Sequence, residues 1–258
     1  MRKNRFCTEA LTFISKQARA CIFAGAFFAL LFLSSHLPLG PLPRYDFLFI
    51  AALCIQIVLI AWRIETIAEV KTIALFHLTG LVMELYKTHP SIGSWSYPEA
   101  NLFRIATVPL FSGFMYAAVG SYISQAWDIF HLRLRGVFSW WSSSVLALAI
   151  YANFFTNHFL PDMRLFLIPL VFWVFRKGTV EFTVTDRIRH MPLPLSFLLI
   201  AFFIWIAENI STYFGAWKYP SQYAAWNMVS LHKISSWFLL VIISFILVAH
   251  LKRKTPKK

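Results

Sequence analysis

Two glutamates hold matching places in this chain. Glu84 stands nine residues before Gly93-Ser94-Trp95-Ser96-Tyr97-Pro98, and Glu208 stands seven residues before Gly215-Ala216-Trp217-Lys218-Tyr219-Pro220. Both copies share the order Gly-x-Trp-x-Tyr-Pro, and both glutamates come near the end of an apolar stretch. Low-dielectric surroundings favour the protonated form of a carboxyl group, which lets it exchange a proton near neutrality. Glu84 and Glu208 are therefore the candidate catalytic pair, acting as acid and base. Trp95, Tyr97, Trp217 and Tyr219 are candidate ligand-binding residues, as two matching aromatic lids. Further polar groups fall on the same side of the apolar stretches. Asn153 and Asn157 share a helical face at i,i+4, His158 follows them, Asn209 adjoins Glu208, and His232 opens the last apolar stretch. A metal bound by Glu84, Glu208, His158 and His232 is chemically conceivable. No His-x3-His or Glu-x2-His spacing supports it, so no metal is assigned and the cofactor stays unknown.

The elements that position these groups are apolar and long. Of the 258 residues, 59% are hydrophobic and 14% charged, far from the balance of a soluble domain. Eight apolar stretches of membrane-crossing length are readable, at about 20–36, 46–62, 72–88, 106–125, 138–158, 161–176, 195–214 and 232–250. The runs are continuous rather than alternating, which excludes a lipid-facing β-barrel. The sixth carries Pro169, and the third carries His77 and Glu84. The fold class expected is an all-α, polytopic transmembrane bundle of about eight spans. A short interfacial helix with Ala10, Phe13 and Ile14 on the same face as Phe6 precedes them. Spans and loops fill residues 1–258 as a single integral membrane domain.

Orientation follows from the basic residues. An eight-span reading puts 18 of the 24 Lys and Arg on the face that holds both termini, Lys257 and Lys258 among them, and 6 on the other. By the positive-inside rule both termini are cytoplasmic and the Trp-x-Tyr-Pro loops external, in a multi-pass protein of the bacterial inner (plasma) membrane. The net charge of +13 is then a topology signal directed at lipid head groups, and nucleic acid is not expected as a partner. Cys7, Cys21 and Cys54 have no CxxC spacing, and none is placed for an external disulfide. The N-terminal apolar stretch lacks a clean small-x-small cleavage motif and reads as a retained span.

Spans three and seven run in the same direction and end in the same loop. That implies a parallel 4+4 repeat, with units 1–125 and 126–258 related by an axis along the membrane normal. An ionised carboxylate in hydrocarbon is costly, so Glu84 and Glu208 are expected to face the bundle interior, with Asn209 or a span-five polar residue as the partner of Glu208. The competing expectation is that both are hydrated at the outer interface and only accept helix-end hydrogen bonds. In span four, Gly113, Ala117, Gly120, Ser121 and Ser124 make a small-residue packing face, with Tyr116 and Tyr122 as buried donors.

The stretches Val108-Pro109-Leu110-Phe111-Ser112-Gly113-Phe114-Met115-Tyr116, Asn153-Phe154-Phe155-Thr156-Asn157-His158-Phe159-Leu160-Pro161-Asp162 and Phe203-Ile204-Trp205-Ile206-Ala207-Glu208-Asn209-Ile210 resemble an uncharacterised family of bacterial integral membrane proteins. That resemblance implies class and compartment and no activity. The order Glu84, Thr88, Ile92, Gly93, Trp95, Tyr97 is also similar to a loop of membrane carotenoid-pathway hydratases and cyclases, with His89 and Trp95 departing from that pattern. This second likeness implies an apolar, isoprenoid-type ligand. The functional expectation is thus a membrane protein that binds or transforms an isoprenoid or lipid at an extracytoplasmic acidic site. The alternatives are a transporter or channel for a small solute, or a membrane scaffold without chemistry. Whether the protein is an enzyme, and its oligomeric state, are not legible in the sequence.

Overall fold

The computed structural model describes residues 2–136 and 139–254, and is mostly helical. Phe138, Lys257 and Lys258, used in the sequence reading, lie outside the described residues. Among the described residues there are nine α-helices: α1 (Arg2–Ala20), α2 (Ile22–Ser34), α3 (Arg44–Ala61), α4 (Ile67–Lys87), α5 (Ser112–Ile129), α6 (Trp140–Thr156), α7 (Arg164–Phe175), α8 (Leu193–Tyr213) and α9 (Lys233–Lys254). Every one of the eight apolar stretches carries a helix, and α1 occupies the position of the expected interfacial helix. Three helices, α3, α8 and α9, are long and apolar enough to cross a membrane; the count is four if α1 and α2, bent by 69° at their junction, form one span.

The start of α4 shows why the boundaries fall where they do. Thr66 and Glu69 form a capping box: the Thr66 hydroxyl accepts from the Glu69 amide, and the Glu69 carboxylate accepts from the Thr66 amide at 2.7 Å. The fourth apolar stretch begins later than its sequence suggests. Residues 104–109 fold back as a two-stranded hairpin, β1 (Arg104–Ile105) with β2 (Val108–Pro109), before α5 starts at Ser112. A second, antiparallel three-stranded sheet joins β3 (Arg133–Arg135), β4 (Thr179–Thr183) and β5 (Ile188–Pro192) in that order. The sequence reading has no strands here. They are two to five residues long, too short for an alternating pattern, and β3 finds its partner more than forty residues along the chain.

The elements sort to two ends of the molecule. At one end lie the three-stranded sheet, the Glu9–Arg189 ion pair that ties α1 to β5, and Lys252 bound to Glu69 at 2.6 Å and Asp128 at 3.0 Å. At the other lie the two Trp-x-Tyr-Pro loops, Arg44, Glu99, Arg164 and the C-terminal end of α6. Helices α4, α5, α8 and α9 run between these ends, and α9 packs against α4, α5, α6, α7 and α8. The small-residue face of α5 performs as expected. A Cβ on Gly113 would lie 2.0 Å from the His77 ring, so the glycine leaves the space on α5 that this α4 side chain fills. Ser121 and Ser124 do more than pack: they donate to Glu65 and Glu69, two buried carboxylates that the sequence reading did not single out.

Candidate functional site

The two Trp-x-Tyr-Pro loops pair with each other. Ser96 and Lys218, at the same place in each motif, form an isolated antiparallel bridge in which each amide donates to the other's carbonyl at 2.9 Å. The glycine that opens each motif has a positive φ, +58° at Gly93 and +72° at Gly215, a left-handed conformation that residues with a Cβ rarely adopt. This explains why Gly recurs where the motif begins.

Under the bridge, each loop feeds its own glutamate. Glu84, near the end of α4, accepts from Trp95 Nε1 at 2.8 Å, Tyr97 Oη at 2.8 Å and Tyr116 Oη at 2.7 Å. Glu208, near the end of α8, accepts from Tyr219 Oη at 2.5 Å and Trp237 Nε1 at 2.9 Å. The correspondence extends past the loops: Tyr116 and Trp237 are each the fifth residue of the next long helix, α5 and α9. The two boxes touch where the Trp95 and Tyr219 rings meet edge to face, with centroids 6.2 Å apart.

Both carboxylates are buried, Glu84 at 2% exposure and Glu208 at 3%. This overturns the expectation of hydrated glutamates at an outer interface. Their hydrogen-bond donors are all uncharged, so each carboxyl is satisfied without a directly bound cation. In the loops, burial first and the adjacent carboxylate second push the Tyr97 and Tyr219 phenols well above their usual range. They therefore remain protonated donors at any physiological pH.

The other residues predicted for the site divide. Trp217 is buried in the apolar cluster that contains Tyr45, Phe111 and Phe114, and acts as a wedge holding its loop down. Asn157 and His158 are brought to the site's edge, where Lys87 Nζ donates to Asn157 Oδ1 at 3.0 Å and to His158 Nε2 at 2.8 Å. Asn153 turns instead to its own connection: its Oδ1 accepts from the Met163 amide at 2.9 Å, and its Nδ2 donates to Asp162. Asn209 does not partner Glu208. It donates to the Trp205 carbonyl and accepts from the Val229 amide, which anchors the long second loop. An i+1 neighbour on a helix points about 100° away, which is why adjacency to Glu208 in sequence misled. His232 is exposed; its main chain, through a 2.6 Å bond from Ser235 Oγ to its carbonyl, shapes the entry to α9.

Sequence reasoning missed Trp237, Lys87, Lys233 and Arg44. Lys233 Nζ lies over the Tyr219 ring at 4.4 Å and the Trp95 ring at 5.7 Å, at the seam between the boxes. Arg44 binds Glu99 of the first loop at 2.7 Å and the Phe214 carbonyl at the head of the second at 2.6 Å, so one guanidinium clamps both. A signal for Trp237 was present. It follows Lys233 by four residues, as Tyr116 follows Ser112 by four, and the repeat could have been extended one helix further. Among the described residues, no three His, Cys, Asp or Glu side chains gather to hold a metal.

Comparison with known proteins gives relatives without an assigned chemistry. No solved structure matches the chain. A protein of Bacillus subtilis (strain 168) described as "Uncharacterized protein YoaT" is 50% identical over 238 residues, covering 92% of this chain and 89% of the relative. Residues 9–245 match the family described as "Protein of unknown function (DUF817)", and the chain belongs to that family.

Proposed function

We propose that this is a multi-pass protein of the bacterial inner membrane whose Glu84 and Glu208 form a closed, externally facing acidic site that binds or transforms an apolar ligand. Eight spans arranged as a parallel repeat, units 1–125 and 126–258, fit the matched placement of the two boxes. The observation that carries the reading is the pair of buried carboxylates, each held by uncharged Trp and Tyr donors beneath loops that bond to one another. Such a carboxyl can be neutral or charged without losing its partners' geometry, which suits a proton donor or acceptor. The void that lies against Tyr116 and Trp237, the residues that hold the two carboxylates from below, is lined by Phe76, Val119, Ile204, Leu240, Val241 and Ser244. It is no larger than a water molecule, so a ligand would enter only by parting the elements around it.

A transporter is the second reading. It is favoured by the position of the paired carboxylates between two equivalent helix pairs, α4–α5 and α8–α9, where rocking of one half on the other would expose them alternately.

Glu208→Gln tests the site. The carboxamide keeps the shape and can still accept from Trp237, while Tyr219 turns its hydroxyl to accept from the amide nitrogen. The variant is expected at wild-type abundance and fold. It should lose a co-purifying apolar molecule, identified by mass spectrometry of an organic extract of the wild type, by tenfold or more. Equal recovery from both proteins would remove Glu208 from the site. Topology is checked separately. An alkaline-phosphatase fusion at the C-terminus should be inactive, and one inserted at the exposed Trp226 active. The reverse pattern would invert the orientation.

A further inference from the structure

Three cations gather at the rim of the glutamate site, and two of them have no carboxylate of their own. Lys87 is 4% exposed, one turn beyond Glu84, and its ammonium donates only to Asn157 and His158, both neutral acceptors. Lys233 rests on the faces of Tyr219 and Trp95. Arg164 binds Asp162 and reaches Ser236 Oγ at 2.9 Å and Ser235 Oγ at 3.4 Å, in the first turn of α9. The three are close enough that Lys233 and Arg164 act electrostatically on Lys87, where Asp162 opposes them, and Arg164 acts on Lys233, where Glu208 opposes it. Among the described residues, no carboxylate comes within ion-pair distance of either lysine.

The opposing charges nearby are Asp162 and Glu208. Asp162 is taken by Arg164 and by Asn153, and both oxygens of Glu208 are taken by Tyr219 and Trp237. A buried ammonium without an anion is costly, and structures seldom keep one unless something else supplies the charge. The arrangement is unfavourable in a second way. Lys233 opens α9, and the side chain of Arg164, the first residue of α7, reaches the first turn of α9, whose own N-terminal partial charge is positive. An anion placed among Lys87, Lys233 and the α9 serines relieves both costs at once.

We propose that this cluster seats a phosphate group, as the head of the ligand whose apolar part reaches the glutamate boxes. Two ammonium groups and the Ser236 hydroxyl, whose oxygen accepts from Arg164 and whose hydrogen is left to donate, offer donors from different directions. That suits the terminal oxygens of a phosphate ester better than the flat edge of a carboxylate. The ligand class is thereby narrowed to a phosphorylated amphiphile, an inference that rests on the apolar-ligand reading of the same site.

The test uses the full chain in a phosphate-free maltoside detergent, with thermal unfolding followed by tryptophan fluorescence. Three probes are compared: dodecyl phosphate, dodecanol and inorganic phosphate. Dodecyl phosphate should raise the unfolding temperature of the wild type in a saturable way, at lower concentration than either of the others. Lys87→Gln keeps a hydrogen-bonding group against Asn157 and His158, and should weaken that response about tenfold, the loss expected for one charge-assisted bond. Lys233→Gln, at a less buried position, should weaken it similarly and guards against misfolding of the first variant. A response equal for dodecyl phosphate and dodecanol, unchanged in both variants, overturns the phosphate seat and leaves the apolar-ligand reading standing. Inorganic phosphate matching dodecyl phosphate supports the seat and overturns the apolar part. No response to any probe overturns the seat.

Discussion

Glu84→Ala is expected to be the most damaging single change at the end of the protein that holds the two Trp-x-Tyr-Pro loops. It strands three donors at once: the Trp95 N–H and the Tyr97 and Tyr116 hydroxyls. A buried donor left without an acceptor costs about 1–3 kcal/mol. Partial relaxation and water entry into the vacated space reduce the sum, so a net loss of roughly 3–5 kcal/mol is expected. Glu84→Gln should cost less than about 1.5 kcal/mol. Its carbonyl still accepts from Trp95 and Tyr97, and its amide can donate to a Tyr116 hydroxyl turned round. Tyr116→Phe offers the internal check. Made in the Glu84→Ala background, it removes one stranded donor and should recover about 1 kcal/mol, an effect opposite in sign to its cost in the wild type. The measurement is a denaturant titration in detergent for five proteins: the wild type, Glu84→Ala, Glu84→Gln, Tyr116→Phe and the Glu84→Ala/Tyr116→Phe double variant. If Ala and Gln behave alike, Glu84 is not what holds the first loop down.

The second large effect is steric. Gly80→Ala should destabilise by about 2 kcal/mol, although Ala is the better helix former by about 1 kcal/mol in an exposed helix. A Cβ on Gly80 would lie 2.6 Å from two carbons of the Tyr116 ring. That ring has little freedom. Its hydroxyl is bound to Glu84, and Phe76 packs edge-on against it at 6.2 Å between centroids. The extra methyl therefore either parts α4 from α5 or breaks the Tyr116–Glu84 bond. Gly25→Ala in α2 is the control, because nothing stands within 4 Å of the Cβ built there. It should be neutral or slightly stabilising. A Gly80→Ala protein with unfolding temperature equal to the control's would show that Tyr116 is less fixed than its bonds suggest.

Much of this was legible in the residues. Continuous apolar runs locate helices because a run of that length has few other ways to satisfy its backbone, and each of the eight runs carries one. The repeated Gly-x-Trp-x-Tyr-Pro order pointed to both glutamates. Its glycines and aromatics are explained by local geometry, a left-handed turn followed by donors aimed back at the preceding helix. Tyr116 could be read as a buried donor from the small residues around it. Asn153, Asn209 and His232 were drawn in by nearness along the chain, yet the fold spends their polar groups on the connections that flank them.

The chain by itself determined where the long helices form and which loop accompanies Glu84 and which Glu208, because these depend on neighbours within about thirty residues. That these two carboxylates are buried, and Glu65 and Glu69 with them, was decided by the packing. Only the tertiary structure decided that the loops bond to each other through Ser96 and Lys218, that Trp237 completes the second box, and that Arg44 clamps both loops. It alone brought Lys87, Arg164 and Lys233 to one rim. Apart from Glu208 and Trp237, which are 29 positions apart, those meetings join residues separated by 55 to 170 positions in the chain, and no local periodicity encodes them. They arise from the packing of α4, α5, α8 and α9, where a glycine at each crossing of α4 and α5 sets how closely the helices approach, and so which side chains can reach across.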